Sequence, residues 1–174
     1  MSEPHQLIGR IYGDKQDLIK QRSRIIKPAQ IYNDWNSMNS NPEYDAAVEY
    51  SIERAYSGKT FNELWGIYFN KSSVNGIEID KYNETEKCWE FLLFFFSESY
   101  LDFITVFNRL RQIATQSSGT AAILPYMYGD GFDNAIILDM TESTSKIQTT
   151  VNPEFKRWAT DWFDSIIKSK QDMD

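Results

Sequence analysis

The most apolar part of the chain lies at residues 88–96, and it constrains the fold more than any other segment. Its uninterrupted apolar run, Phe91 to Phe96, is far shorter than the roughly 20 residues needed to cross a bilayer. Together with the residues that follow, this segment would also suit one long helix. Ser97 and Ser99, however, offer a helix start directly after it. We therefore predict a buried strand followed by a helix at about residues 99–115.

The other hydrophobic patterns predict helices first, then mostly strands, and a helix at the end. The predicted helices lie at 14–26, capped by Asp14, at 42–57, capped by Asn41, and from Pro153 onward, capped by Asn152; the predicted strands lie at 77–82, 122–124, 135–140 and 146–151. Asn75 and Gly76 indicate a hairpin turn, and residues 116–120 a loop. Residues 60–63 have the spacing of a capping box that would open a short helix through Tyr68, whereas residues 64–69 could equally form a strand.

This order predicts an α+β fold with a mainly antiparallel sheet. The last helix carries a wide apolar stripe from Phe155 to Ile167, so it must pack on another element, and we expect that element to be the sheet. The length of 174 residues fits a single domain. We expect residues 1–30 to form a helical N-terminal extension and residues 31–174 to form the α+β core.

Charge is distributed unevenly along the chain. Residues 1–30 contain six basic and three acidic side chains, residues 31–145 contain seven basic and seventeen acidic ones, and residues 146–174 contain five of each. A negative field over the middle of the chain favours basic partners and repels nucleic-acid phosphates. The alternative is that mild acidity only keeps the protein in solution.

Few residues are available for catalysis or metal binding. His5 is the only histidine and Cys88 the only cysteine, so a disulfide within one chain and a thiolate metal site are excluded. The turn around Asp130 and Asp133 lacks the spacing of a calcium or phosphate loop. We therefore predict a protein that is not an enzyme and has no metal or cofactor. With no secretion signal or membrane span in the pattern, we expect it in the cytoplasm.

A series of short segments between residues 88 and 168 occurs in an order typical of one known family. The segments are residues 89–93, the helix at 100–113, Ile123-Leu124-Pro125, Gly129-Asp130-Gly131, residues 135–140, Lys146-Ile147 and residues 159–167. In this order they resemble the SUKH superfamily, which includes proteins related to the yeast Smi and Knr cell-wall regulators. The chain departs from the family pattern at Phe132, where that pattern usually has a glycine.

The resemblance implies an α+β fold without catalysis. It also implies the role of many bacterial members, which bind and neutralise a cognate toxin, often a nuclease. The acidic middle of the chain fits such a basic partner, because carboxylates can replace the phosphates of a nucleic acid. The predicted contact patch, near one edge of the sheet, consists of Tyr126, Tyr128, Asp130, Asp133, Asp139 and Glu142.

Three other functions remain open from the sequence. One is a regulatory or scaffold module that binds a cellular protein without any toxin. Another is an enzyme with an unrecognised carboxylate or tyrosine site. The third is a viral protein that mimics the charge of DNA. We predict no membrane or nucleic-acid partner, and the sequence leaves the oligomeric state open.

Overall fold

An antiparallel sheet of six strands forms the centre of the fold. The computed structural model describes residues 5–38, 45–55, 58–72, 78–113, 117–125 and 132–171. The strands are β1 (His5–Tyr12), β2 (Glu78–Asn83), β3 (Cys88–Ser97), β4 (Ser118–Leu124), β5 (Ile136–Met140) and β6 (Ser145–Gln148). The helices are α1 (Lys15–Arg22), α2 (Asp45–Arg54), α3 (Phe61–Ser72), α4 (Tyr100–Ile113) and α5 (Pro153–Gln171), with 3-10 turns at Ala29–Ile31 and Trp35–Met38.

The strands lie in the order β2-β3-β1-β4-β5-β6, and each neighbouring pair is antiparallel. Helices α1 to α4 pack on one face of this sheet through the larger apolar cluster. Helix α5 packs on the other face, where Phe155 and Ala159 contact apolar residues of the strands. The predicted α+β class, with a mainly antiparallel sheet and a C-terminal helix packed on it, is confirmed.

Strand β1 corrects the expectation for the N-terminus. Residues 1–30 were expected to form a helical extension, which is wrong for residues 5–12, because they form a strand between β3 and β4. Leu7 and Ile8 are adjacent in sequence, point to opposite faces, and are both buried. A strand covered on both faces does not alternate between apolar and polar residues. This segment therefore lacks the pattern by which a half-buried strand is recognised.

Helix α1 is shorter than the predicted 14–26. The Asp14 cap is confirmed, since its carboxylate accepts backbone N–H groups of the first turn. After Arg22 the chain turns at Ser23, and Ile25 forms an isolated bridge with Thr60. Ile25 therefore lies beyond the helix, and its side chain is 68% exposed.

The other elements follow their local signals closely. The capping box is confirmed: Thr60 and Glu63 exchange hydrogen bonds at the start of α3, so residues 60–69 resolve as a helix. The strand and helix predicted from residue 88 are β3 and α4. Strand β4 begins at Ser118, inside the predicted loop. The predictions for Asn41 and for the Asn75–Gly76 turn lie outside the described residues.

Candidate binding site

A row of polar side chains crosses the sheet on the face covered by α5. In the order of the strands from β2 to β6, its members are Lys81, Glu90, Arg10, Thr120, Asp139 and Lys146. Each member lies directly opposite the next on the neighbouring strand. We call these six residues the polar row. A parallel row of apolar residues, with Ile8 and Leu92 near its centre, lies beside it and packs against α5.

Arg10 is at the centre of the polar row. Its Nε donates a hydrogen bond to the Cys88 Sγ at 3.2 Å, and its Nη1 donates to the Tyr12 hydroxyl at 2.9 Å. Its Nη2 lies 3.4 Å from a carboxylate oxygen of Glu90 and 3.6 Å from one of Glu86. Burial alone would lower the pKa of Arg10, but the contacts with Cys88, Tyr12 and Glu90 outweigh it and raise the pKa. Arg10 is therefore a charged group whose charge is already balanced by carboxylates.

Two tryptophans of α5 cover two of the three cations of the polar row. The Trp158 ring centroid is 5.0 Å from the Arg10 guanidinium carbon, and the Trp162 centroid is 5.4 Å from the Lys81 ammonium nitrogen. The two indoles also stack on each other, with centroids 5.1 Å apart. Cation–π contacts of this kind orient a charged side chain without neutralising it. They fix the position of α5 over the row.

Beside the row, on the same face of the sheet, Cys88 is fully buried, and burial raises the pKa of its thiol despite the opposing hydrogen bond from Arg10. A thiol with a raised pKa is a poor nucleophile near neutral pH. Cys88 therefore serves as a hydrogen-bond acceptor for Arg10.

A cavity of about 300 Å³ opens beside Arg10, at the beginning of α5. Its lining residues are Arg10, Tyr12, Thr120, Asn152, Glu154, Phe155 and Trp158. Asn152 caps the helix, because its side-chain oxygen accepts the Glu154 N–H at 2.8 Å. The pKa of the Tyr12 phenol is raised, mainly by burial. The nearby Cys88 and Glu154 raise it further, whereas Arg10 lowers it. Glu154 is thus close enough to influence the phenol electrostatically.

Among the lining residues that the structure describes, two carry a charge: Arg10 is positive and Glu154 is negative. Arg10 already contacts two carboxylates. Glu154 is exposed, and no ion pair to it occurs within the described part of the chain. The uncompensated charge at the cavity is therefore negative.

The structure describes three of the six predicted contact residues, Asp133, Asp139 and Glu142, and these three do not lie together. Asp139 belongs to the polar row and accepts a hydrogen bond at 3.1 Å from Thr120, which lines the cavity. Asp133 precedes β5 and Glu142 follows it, so these two exposed residues lie at opposite ends of the strand. Tyr126, Tyr128 and Asp130 lie outside the described residues.

The cavity residues that sequence reasoning missed are on β1 and α5. Arg10 and Tyr12 belonged to a segment for which no strand was predicted. Trp158 was expected only within the apolar stripe of the last helix, and no role was predicted for Glu154. A strand prediction for residues 5–12 would have placed Arg10 and Tyr12 on one face of a sheet.

A second polar cluster lies on the opposite side of the sheet. Arg111, whose side chain is fully buried, donates two hydrogen bonds to the Asp34 carboxylate at 2.6 and 2.7 Å. Its guanidinium also lies 4.4 Å from the Tyr32 ring centroid and 4.5 Å from that of Trp35. The Ile147 N–H donates to Asp34 at 2.8 Å. This cluster joins α4, β6 and the Trp35 turn, and its role is structural.

Burial opposes the ionisation of Asp34, but the bonds from Arg111 and Ile147 outweigh it and lower the pKa of Asp34. Arg109, two residues earlier on the same helix, is also buried and lies 5.5 Å from the Tyr68 ring centroid. Both positive charges of α4 are thus inside the protein.

No cluster of three or more His, Cys, Asp or Glu side chains suited to a metal ion occurs in the described ranges. Within the same ranges, no helix combines the length and the apolar character that crossing a membrane requires. Comparisons of the chain with models of protein families, with curated proteins and with solved structures found no significant match.

Proposed function

We propose that this chain is a non-catalytic binding protein whose partner is a basic protein domain, and that it acts as an immunity protein against a bacterial toxin. The burial of Arg109 and Arg111 is the observation that carries the proposal. Residues 31–145 contain only seven basic side chains against seventeen acidic ones, and these two are withdrawn from the surface. Among the described carboxylates of this segment, Glu90 alone is buried. The exposed charged side chains of this segment, within the described residues, are therefore mostly carboxylates.

We place the contact surface at the end of the sheet where β1 finishes. Glu86 lies in the turn between β2 and β3, and Glu142 in the turn between β5 and β6. The register of the strands brings both turns to the same end of the sheet as Tyr12. With Glu154 at the cavity, these carboxylates offer several negative groups to a basic surface.

The proposed mechanism is occlusion. Carboxylates of this chain would occupy positions that substrate phosphates take in the cleft of a nuclease, and arginines of the cleft would bind them by charge-assisted hydrogen bonds. Opposite charge on the two surfaces would also speed their encounter. No bond is made or broken, so no catalytic residue is required.

Co-expression with the product of the adjacent gene tests this proposal. We expect this chain to protect the cells from toxicity and the two proteins to co-purify at low salt. The double variant Glu142→Lys and Glu154→Lys should weaken binding by about tenfold or more, because charge pairs across an interface are commonly worth over 1 kcal/mol. Absence of both protection and association would refute the proposal.

A matched control changes the same amount of charge elsewhere. Glu49 and Glu53 are exposed on α2, which packs on the opposite face of the sheet. The double variant Glu49→Lys and Glu53→Lys should leave partner binding nearly unchanged. Equal loss in both double variants would indicate a general charge effect and would contradict the proposed surface.

A regulatory interaction module is the second candidate, and exposed apolar side chains favour it. Ile31 and Tyr50 are 54% and 57% exposed on the side of the sheet opposite the cavity. Exposed apolar side chains of this kind occur at protein contacts. A stable cellular partner without any toxic activity would support this candidate over the immunity role.

A further inference from the structure

We infer that the cavity at the beginning of α5 receives an arginine side chain of the partner. This inference rests on the proposed function, since it names the group through which a basic partner would enter. The three observations behind it are the charge of the cavity, the aromatic character of its walls and its size.

The charge of the site favours a cation. The Arg10 guanidinium lies near Glu86 and Glu90, so it attracts a guest anion weakly. Glu154 stands in the wall, and Asp139 lies directly behind the Thr120 hydroxyl. Among the described lining residues, Glu154 is the one carboxylate, and it has no ion pair in the described part of the chain, so it can attract a cation. The positive charge of Arg10 in the same wall is offset by Glu86 and Glu90.

The walls favour a flat cation. Tyr12, Phe155 and Trp158 contribute aromatic rings to the lining, and Tyr12 is 38% exposed. A guanidinium group is planar, stacks on aromatic faces and is less strongly hydrated than an ammonium group. The Asn152 side chain and the Thr120 hydroxyl supply further polar atoms at the rim. These features suit arginine better than lysine.

The volume of about 300 Å³ is at the small end of the range for ligand cavities, which is roughly 300–1,000 Å³. A single long side chain matches this size better than a nucleotide or another large cofactor. An inserted side chain would also explain how an acidic surface gains specificity beyond simple charge attraction, because a buried anchor in a pocket commonly dominates an interface.

Binding of a capped Gly-Arg-Gly peptide tests the inference directly. The indole N–H signal of Trp158, assigned with the Trp158→Phe variant, should shift in a saturable way when the peptide is added to the full chain. The same peptide with citrulline, which has the shape of arginine without its charge, should bind at least about fivefold more weakly. Equal binding of the two peptides, or stronger binding of a Gly-Glu-Gly peptide, would overturn the inference.

A pair of variants on α5 locates the effect. Glu154→Gln should weaken arginine-peptide binding by about fivefold, since it removes the uncompensated charge from the wall. Asp161→Asn removes the same charge from an exposed position of the same helix that does not line the cavity, and should leave binding unchanged. Circular dichroism and thermal unfolding verify that both variants fold. Unchanged peptide binding in Glu154→Gln would overturn the inference.

The outcomes separate the two proposals. If a toxic partner binds but neither the arginine peptide nor Glu154→Gln affects that binding, the cavity inference fails and the proposed function stands. If the arginine peptide binds selectively but no toxic partner associates, the proposed function fails and the cavity remains a cation site.

Discussion

Asp34 is the single residue whose ionisation is most closely tied to the stability of the fold. Its carboxylate accepts two hydrogen bonds from the buried Arg111 and one from the Ile147 N–H. These bonds are strongest while the carboxylate is ionised, and they outweigh the burial that opposes ionisation. The pKa of Asp34 in the folded protein is therefore below its ordinary value of 3.8.

The sign of the resulting pH dependence follows from linkage. A carboxyl group with a lowered pKa stabilises the fold above its unfolded-state pKa, and this stabilisation is lost as pH falls through the folded-state pKa. We expect Asp34→Asn to reduce the free energy of unfolding at pH 7 by about 2–3 kcal/mol. The difference from the wild type should begin to shrink as pH falls below about 4, because protonation of Asp34 then favours the unfolded chain, and it should shrink further as pH approaches the lower folded-state pKa.

Urea unfolding between pH 7 and pH 3 measures this difference. Asp164→Asn, at an exposed position of α5, is the control and should cost less than about 0.5 kcal/mol at every pH. A difference between Asp34→Asn and the wild type that stays constant down to pH 3 would contradict the assignment.

At the scale of single residues, the polar row shows why the candidate site could not be predicted from the sequence. Glu90 and Asp139 lie within strands that were predicted correctly, yet the sequence does not reveal that Arg10 and Thr120 separate them in space. Their alignment depends on the register between strands that are distant along the chain. The register between two strands depends on which faces of both strands pack into the core, and the sequence of one strand alone does not show it.

At the scale of elements, the start of α5 combines helix capping with the wall of the cavity. Asn152 satisfies the Glu154 N–H with its side chain, and its own carbonyl accepts the Lys156 N–H. Pro153 occupies the first helical position, where its missing N–H has no cost. The same few residues therefore anchor the helix and shape the site.

We expect Asn152→Ala to lower the free energy of unfolding by about 1 kcal/mol, because it removes the cap. Asn152→Asp should retain most of the stability, since a carboxylate also caps the N–H group. Thermal or urea unfolding measures both, and Thr149→Ala at a nearby exposed position is the control. Equal stability of Asn152→Ala and the wild type would show that the cap contributes nothing to α5.

The capped elements were the ones that could be predicted from sequence. Asp14, the Thr60–Glu63 box and Asn152 each mark a helix start by local chemistry, and all three agree with the structure. The start of β4 was missed because Gly119 and Thr120 resemble a loop. Gly119 is required there by close packing, since a Cβ at this position would lie 2.3 Å from the Arg10 carbonyl oxygen. A glycine in a strand thus marks contact with a neighbouring backbone.

At the scale of the whole molecule, the net charge of −7 sets how a partner would approach. Exposed carboxylates attract a basic surface over a distance that salt shortens, from about 10 Å at 0.1 M to about 3 Å at 1 M. We expect partner association to weaken on the order of tenfold between about 50 and 500 mM salt. Titration calorimetry at several salt concentrations measures this.

The double variant Glu142→Lys and Glu154→Lys should show a shallower salt dependence than the wild type, because fewer opposite charges remain to be screened. The α2 double variant should keep the slope of the wild type if its carboxylates lie outside the contact. Binding that does not change with salt would exclude charge complementarity as the basis of recognition.

Strand β1 is made before the other five strands of the sheet, yet both of its neighbours come from much later in the chain. Its partners are β3, at Cys88–Ser97, and β4, at Ser118–Leu124. Until synthesis has passed Leu124, the apolar strand β1 therefore has at least one edge unpaired, and pairings of such long sequence separation form slowly. Trimming the first twelve residues would remove the middle of the sheet and not a dispensable tail.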